Sequence, residues 1–246
     1  MTHCQANSPA RAILLAALSA LASTQAHADT SREFWPEFNA FLKLDARTRV
    51  YLLANSSHPE ANEKLAVASP ATEAVIGAHL DYSLTPVLRP DLREQDWARN
   101  RYLWVRAGYQ YSHSTSAAAA GNSYRENRGV FEMTGRTPPL AGQLEWVARG
   151  RWDWRDRNGA NSSLYRLKLG AERQLDLRGH AAVPYVTAEA IYDTRYSSWD
   201  QRRYQIGSEF AIDESWRVEP YFEQRNYSHS QPARVLGFGL VLKYFH

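Results

Sequence analysis

Three residues on one short stretch carry the side chains that acyl hydrolysis uses. His79, Asp81 and Ser83 alternate along residues 73–84, so a strand there sets an imidazole, a carboxylate and a hydroxyl on one face. A nucleophile, a base and a group that orients the base is what a serine hydrolase needs. The spacing argues against it: residues two apart on one strand sit roughly 6 to 7 Å from each other, beyond direct hydrogen-bond reach without a neighbouring strand. The competing reading is inward packing with no catalysis. The second chemically loaded pattern is electrostatic. Arg106, Arg128, Arg136, Arg149, Arg151, Arg166 and Arg203 recur at alternating positions among Glu126, Glu132, Glu145, Asp153, Glu172, Glu189, Glu209 and Glu223. On the inner face of a closed sheet such groups either neutralise each other pairwise or line a narrow passage for anions.

Other chemistry has little footing. His113, His180 and His229 are scattered, with no pair at i, i+4, so no metal site is expected. Glycines are dispersed, which leaves no phosphate-cradling loop, and nothing points to a cofactor. Asn161-Ser162-Ser163 reads as a turn.

The elements that would position these residues are strands. The closing stretch, 234–246, sets Leu236, Phe238, Leu240, Leu242 and Tyr244 on one face against Gly237, Gly239, Val241 and Lys243 on the other. One face uniformly apolar and ending in aromatics, the other small or charged, is what a strand needs between hydrocarbon and a polar lumen. A terminal strand with Phe238, Leu240, Leu242, Tyr244 and Phe245 resembles the assembly signal of outer-membrane barrels, though His246 follows the aromatics. The same period of two marks 34–44, 48–56, 73–84, 101–113, 126–137, 142–155, 163–175, 184–196, 202–212 and 216–228. With the closing stretch these are eleven segments, near the roughly 9 to 11 residues of a tilted membrane strand. Bacterial single-chain barrels have an even count. Twelve strands are therefore expected, with ten as the alternative: either a strand hides in 57–72 or 85–100, or one segment stays out of the wall. A helical turn is read around residues 60–66.

The N-terminus has the order of a secretory signal. Arg11 precedes the apolar run 12–22, and Ala26-His27-Ala28 supplies the small residues that a signal peptidase reads. Cleavage after Ala28 leaves 29–246 as one barrel domain and removes Cys4, the single cysteine. Loss of Arg11 leaves 28 basic against 26 acidic residues, a formal charge of +2 instead of +3, which argues against a nucleic-acid partner. Beyond that segment no apolar run approaches the length of a membrane helix. The mean hydropathy of −0.54 is compatible with alternating wall strands. Eight Trp and fourteen Tyr suit positions with one apolar and one wet end.

A secreted β-sandwich also alternates, but its polar face is solvated, with mixed Lys, Ser and Thr. Here the polar face pairs Arg with Glu or Asp two positions apart and lysine is scarce, as an enclosed lumen requires. Aromatics fall toward segment ends at Tyr82, Tyr111, Trp152, Trp154, Tyr165, Tyr192, Tyr204 and Tyr244, as interfacial girdles do. The fold expected is all-β, a transmembrane antiparallel up-and-down barrel.

Four runs, EFWPEFNAFLKLDARTRVYLLA, RYLWVRAGYQYS, ENRGVFEMTGRTP and VLGFGLVLKYF, resemble the proteobacterial domain-of-unknown-function family 2490. The likeness covers essentially the whole chain after residue 28. It implies a small barrel in the outer membrane of a Gram-negative envelope and transfers no activity to any residue. Lipid and lipopolysaccharide would surround such a barrel and the barrel assembly machinery would insert it. Three readings of its role stay open: a porin-like envelope barrel with a charge-filled lumen and no catalysis, a narrow channel for small anions or acidic oligosaccharides, and a lipid-modifying hydrolase.

Overall fold

The computed structural model describes residues 30–60, 71–88, 101–115, 123–177, 180–229 and 232–246. Alternation along the chain becomes a single 12-stranded sheet. Its strands are β1 Thr30–Lys43, β2 Thr48–Pro59, β3 Glu73–Ser83, β4 Leu103–Ser114, β5 Arg125–Arg136, β6 Leu144–Arg157, β7 Ala160–Arg173, β8 Leu175–Leu177, β9 His180–Asp193, β10 Ser198–Ala211, β11 Trp216–Tyr227 and β12 Arg234–Phe245. Neighbours in the wall pair antiparallel, and β1 closes the sheet on β12.

The short β8 is the continuation of β7. Glu172↔Tyr185 and Leu175↔Ala182 belong to one register on β9. Between them stands Pro184, which has no N–H to donate, so the ladder lapses at Arg173 and Gln174 and then resumes. The same lapse recurs beside Pro36 in the β1–β2 ladder and beside Pro220 in the β10–β11 ladder. Among the described residues, eleven strands therefore form the wall.

That count corrects the expectation that an even wall needs another strand in 57–72 or 85–100, or one segment left outside. Residues 57–59 extend β2 and Thr85–Leu88 makes one helical turn; 61–70 and 89–100 lie outside the described residues; and each alternating segment pairs on both sides. Parity is met at the seam instead. β1 and β12 run parallel from Thr30↔Arg234 to Phe41↔Phe245. An up-and-down sheet with an odd number of strands can close only with its first and last strands parallel. The segment 1–28, Cys4 and most of the turn expected at 60–66 lie outside the described residues.

Tight turns join the strands where the sequence has turn chemistry. Asn158 and Gly159 both have positive φ, 52° and 85°, the backbone of a two-residue hairpin turn that suits Asn-Gly. In the β1–β2 turn the backbone N–H groups of Arg47 and Thr48 donate to the Asp45 carboxylate at 2.7 and 2.8 Å. Those bonds hold its pKa below the usual carboxylate value.

The outer face is apolar. Leu167, Leu169, Ile76 and Phe222 are each at least 58% exposed, which a water-soluble wall of this size would not sustain as one contiguous band. Aromatics gather toward both rims. Phe131, Trp152, Tyr165, Tyr192 and Trp199 occupy one cross-strand row on five successive wall strands, which climbs from the middle of β5 to the rim at the end of β9 and the start of β10. At the opposite rim Trp216 pairs directly with Tyr244, ring centroids 4.8 Å apart, with Tyr82 and Trp146 at the same end of β3 and β6.

Because the wall count is odd, Thr30 and His246 stand at opposite rims. A tag ahead of Thr30 and a tag in the 213–215 turn, which bonds to Phe245 through the Ser215 carbonyl, are expected on opposite faces of the membrane. Antibody labelling of intact cells should reach one of them only. Equal labelling of both would contradict the parallel seam.

Candidate functional site: the charged lumen

Side chains on the inner face meet across strands in the order their registers dictate. One row runs Arg49, Asp81, Arg106, Glu132, Arg151, Arg166 along β2 to β7. Opposite charges directly across a strand pair stabilise it, and like charges do the reverse, so the alternating part of this row is self-supporting. Asp81 has no solvent exposure. It accepts from Arg49 Nε at 2.7 Å and from Arg106 Nε and Nη2 at 2.6 and 3.0 Å. A carboxylate removed from water stays ionised only with such partners.

Two further carboxylates act as hubs. Asp153, also with no exposure, faces Arg151 at 2.5 Å, Arg166 at 3.7 Å and Arg128 at 3.9 Å. Glu189 meets Arg149 at 2.7 Å, Arg166 at 2.8 Å and Arg203 at 3.9 Å. Near one rim Arg136 bridges Glu145 and Glu172 at 3.4 and 2.9 Å. Beside the seam Lys243 bridges Glu209, at 2.6 Å, and Glu219. From there a polar chain follows four neighbouring wall strands, β11 to β7: Tyr185 donates to Glu219, Gln205 Nε2 donates to Tyr185 at 3.1 Å, and Lys168 Nζ donates to Gln205 Oε1 at 3.1 Å.

Aromatic rings complete the seam side of the lumen. Arg106 lies 3.9 Å over Tyr51 and Arg225 3.8 Å over Trp35, each a cation on a π face. What space remains is a cavity of about 860 Å³, with Arg106, Arg149, Arg203, Lys168, Glu219 and Lys243 in its lining.

The thirteen residues read from the sequence as lumen-lining, Arg106, Arg128, Glu132, Arg136, Glu145, Arg149, Arg151, Asp153, Arg166, Glu172, Glu189, Arg203 and Glu209, lie on inward positions of β4 to β10. Glu145, Asp153 and Glu189 sit against the wall behind the guanidinium groups, outside the cavity lining. Arg49, Tyr185, Gln205 and Glu219 also belong to the lumen, and strand alternation alone would have found them.

His79, Asp81 and Ser83 are all buried and share one face of β3, yet each is engaged elsewhere. Asp81 is held by its two arginines. The His79 ring stacks on Tyr51, centroids 5.3 Å apart, and its Nε2 lies 3.3 Å from Gln110 Nε2. Ser83 Oγ is 3.5 Å from the Leu103 carbonyl and accepts from the Thr85 backbone at 3.4 Å. In the terminal strand Phe238, Leu240, Leu242 and Tyr244 point outward. Phe245 points into the lumen, buried and stacked on Phe41 at 4.8 Å.

With hydrocarbon-type side chains outside, ion pairs inside and no free edge, the fold is a closed β-barrel of the outer-membrane type. No protein-family model matches the chain, and no curated protein does. Among solved structures it is similar to the beta domain of the Bordetella autotransporter BrkA, at 12% identity and TM-score 0.44 over 79% of this chain and 81% of that one. It is also similar to an anion-selective porin from Comamonas acidovorans, at 11% identity and TM-score 0.33 over 80% of this chain and 55% of the porin. A third likeness is to the siderophore receptor PirA from Pseudomonas aeruginosa, at 12% identity and TM-score 0.27 over 79% of this chain and 34% of the receptor.

Proposed function

We propose that this is an outer-membrane protein that stands in the envelope as a closed, non-catalytic barrel, its lumen filled by its own side chains. The observation that carries the reading is the shared-carboxylate lattice along the inner face: Asp81 joins β2 to β4, Asp153 joins β5 to β7, Glu189 joins β6 to β10, and Glu132 links Arg106 of β4 with Arg149 of β6. Charges held this way leave little freedom for a hydrated path. The apolar band and the aromatics toward both rims support a bilayer setting, with lipid and lipopolysaccharide around the wall. Residues 1–28 are taken as the export signal and the barrel assembly machinery as the inserting partner. Membership of family 2490 is part of the same proposal.

A second reading, a narrow anion passage, has one specific support: the cavity lining carries more Arg and Lys than Glu. Planar-bilayer recording separates the two. The purified barrel is expected to give no unitary conductance steps at any voltage that the membrane tolerates. Reproducible steps with anion selectivity would overturn the closed reading in favour of the passage.

A further inference from the structure

We infer that the lumen holds a binding site for a small multivalent oxyanion, centred on Lys168 and completed by Arg149, Arg203 and Arg225. The inference deepens the closed-barrel reading, and rests on it for the cavity being a pocket and not a path.

The site is one register row. Arg149 lies directly opposite Lys168, Lys168 opposite Glu189, Glu189 opposite Arg203, and Arg203 opposite Arg225. Four cations thus share a row with one carboxylate, and two of the four contacts set cation against cation. Directly opposed like charges destabilise a sheet unless a counter-charge is supplied. Glu189 is already divided between Arg149, Arg166 and Arg203. Arg225 has Glu223 at 2.5 Å. The adjacent carboxylates are committed as well, Glu132 to Arg106 and Arg149, Asp153 to its three arginines.

Lys168 is left with an amide. Its Nζ donates to Gln205 Oε1, and among the described residues no carboxylate approaches it within ion-pair distance. The Nε atoms of Arg149 and Arg203 are buried without a hydrogen-bond acceptor among the described residues. All four cations line the cavity of about 860 Å³, a volume within the roughly 300–1,000 Å³ of small-molecule sites. An excess of positive charge facing a cavity of this size is complemented by an anion. Planar guanidinium forks beside an ammonium point charge match oxygens spread over one compact centre, as in phosphate.

The test is titration calorimetry of the full barrel in non-ionic detergent with inorganic phosphate, against sodium chloride at equal ionic strength. Saturable one-site binding to phosphate is expected, weakened about tenfold or more in Lys168→Met and kept in Lys168→Arg, because the ammonium is the one cation without an acid. Heat no greater than that of chloride, which would mean charge screening only, overturns the inference. So does a Lys168→Met barrel that binds as tightly as the parent. Should Lys168→Met yield no folded barrel, the parent decides the matter: phosphate should raise its unfolding temperature above that in matched chloride, and no rise sinks the site. Bilayer steps would remove the closed reading alone, since the calorimetric result stands independently of conduction.

Discussion

Asp81→Asn is expected to destabilise the barrel by about 3–5 kcal/mol, the range for breaking a buried charge network by removing one member. The carboxylate has no solvent exposure and takes three hydrogen bonds from Arg49 and Arg106. Asparagine keeps the shape and deletes the charge, so two guanidinium groups remain in a confined space with their shared counter-charge gone. Arg106 retains Glu132 only at 3.9 Å. A urea titration followed by loss of the heat-modifiable gel form measures the effect. The combined change Arg49→Met, Asp81→Leu, Arg106→Met should recover most of the loss, because apolar groups of similar size need no partner. An unshifted midpoint in Asp81→Asn would mean that the lattice does not hold the wall.

The second large effect is steric. Gly237→Val is expected to prevent closure, leaving little chain in the compact heat-modifiable form after refolding. A Cβ at Gly237 would lie 1.9 Å from the Trp35 ring, and one at Gly239 2.0 Å from the Tyr221 ring. Trp35 cannot swing aside cheaply: its Nε1 donates to Glu33 at 2.7 Å and its ring carries Arg225 at 3.8 Å. Overpacking of an ordinary core costs about 1–3 kcal/mol, and here the overlap falls on the seam that completes the sheet. Gly237→Ala combined with Trp35→Ala should refold better than Gly237→Ala alone. Full yield from Gly237→Val would show that the two strands meet differently.

Period-two alternation made the wall legible from the sequence, because facing oil or facing the lumen is a property of single residues. The eleven segments and the inward arginines followed from it. Which charges meet was not legible, since alternation assigns a face and leaves the register open. Nothing local says that Asp81 stands between Arg49 and Arg106, or that Arg149 opposes Lys168. Local irregularities were hidden for the same reason. The register shift between Trp199 and Gln201 buries both Asp200 and Gln201, and Pro184 splits what reads as one strand into β7 and β8. The closing pair was missed because an even count was assumed, and parallel closure leaves no mark on either strand's own pattern.

That closure governs how the chain can be re-cut. In a barrel with neighbouring ends, a few residues suffice to join them and open the chain elsewhere. Here a connector from His246 to Thr30 would have to climb the whole height of the wall, along its outer face or through the ion-pair lattice, so a short joining loop cannot make a circular permutant. The zipper between β1 and β12 also joins the most distant partners in the sequence. Its loop-closure entropy is the largest in the sheet.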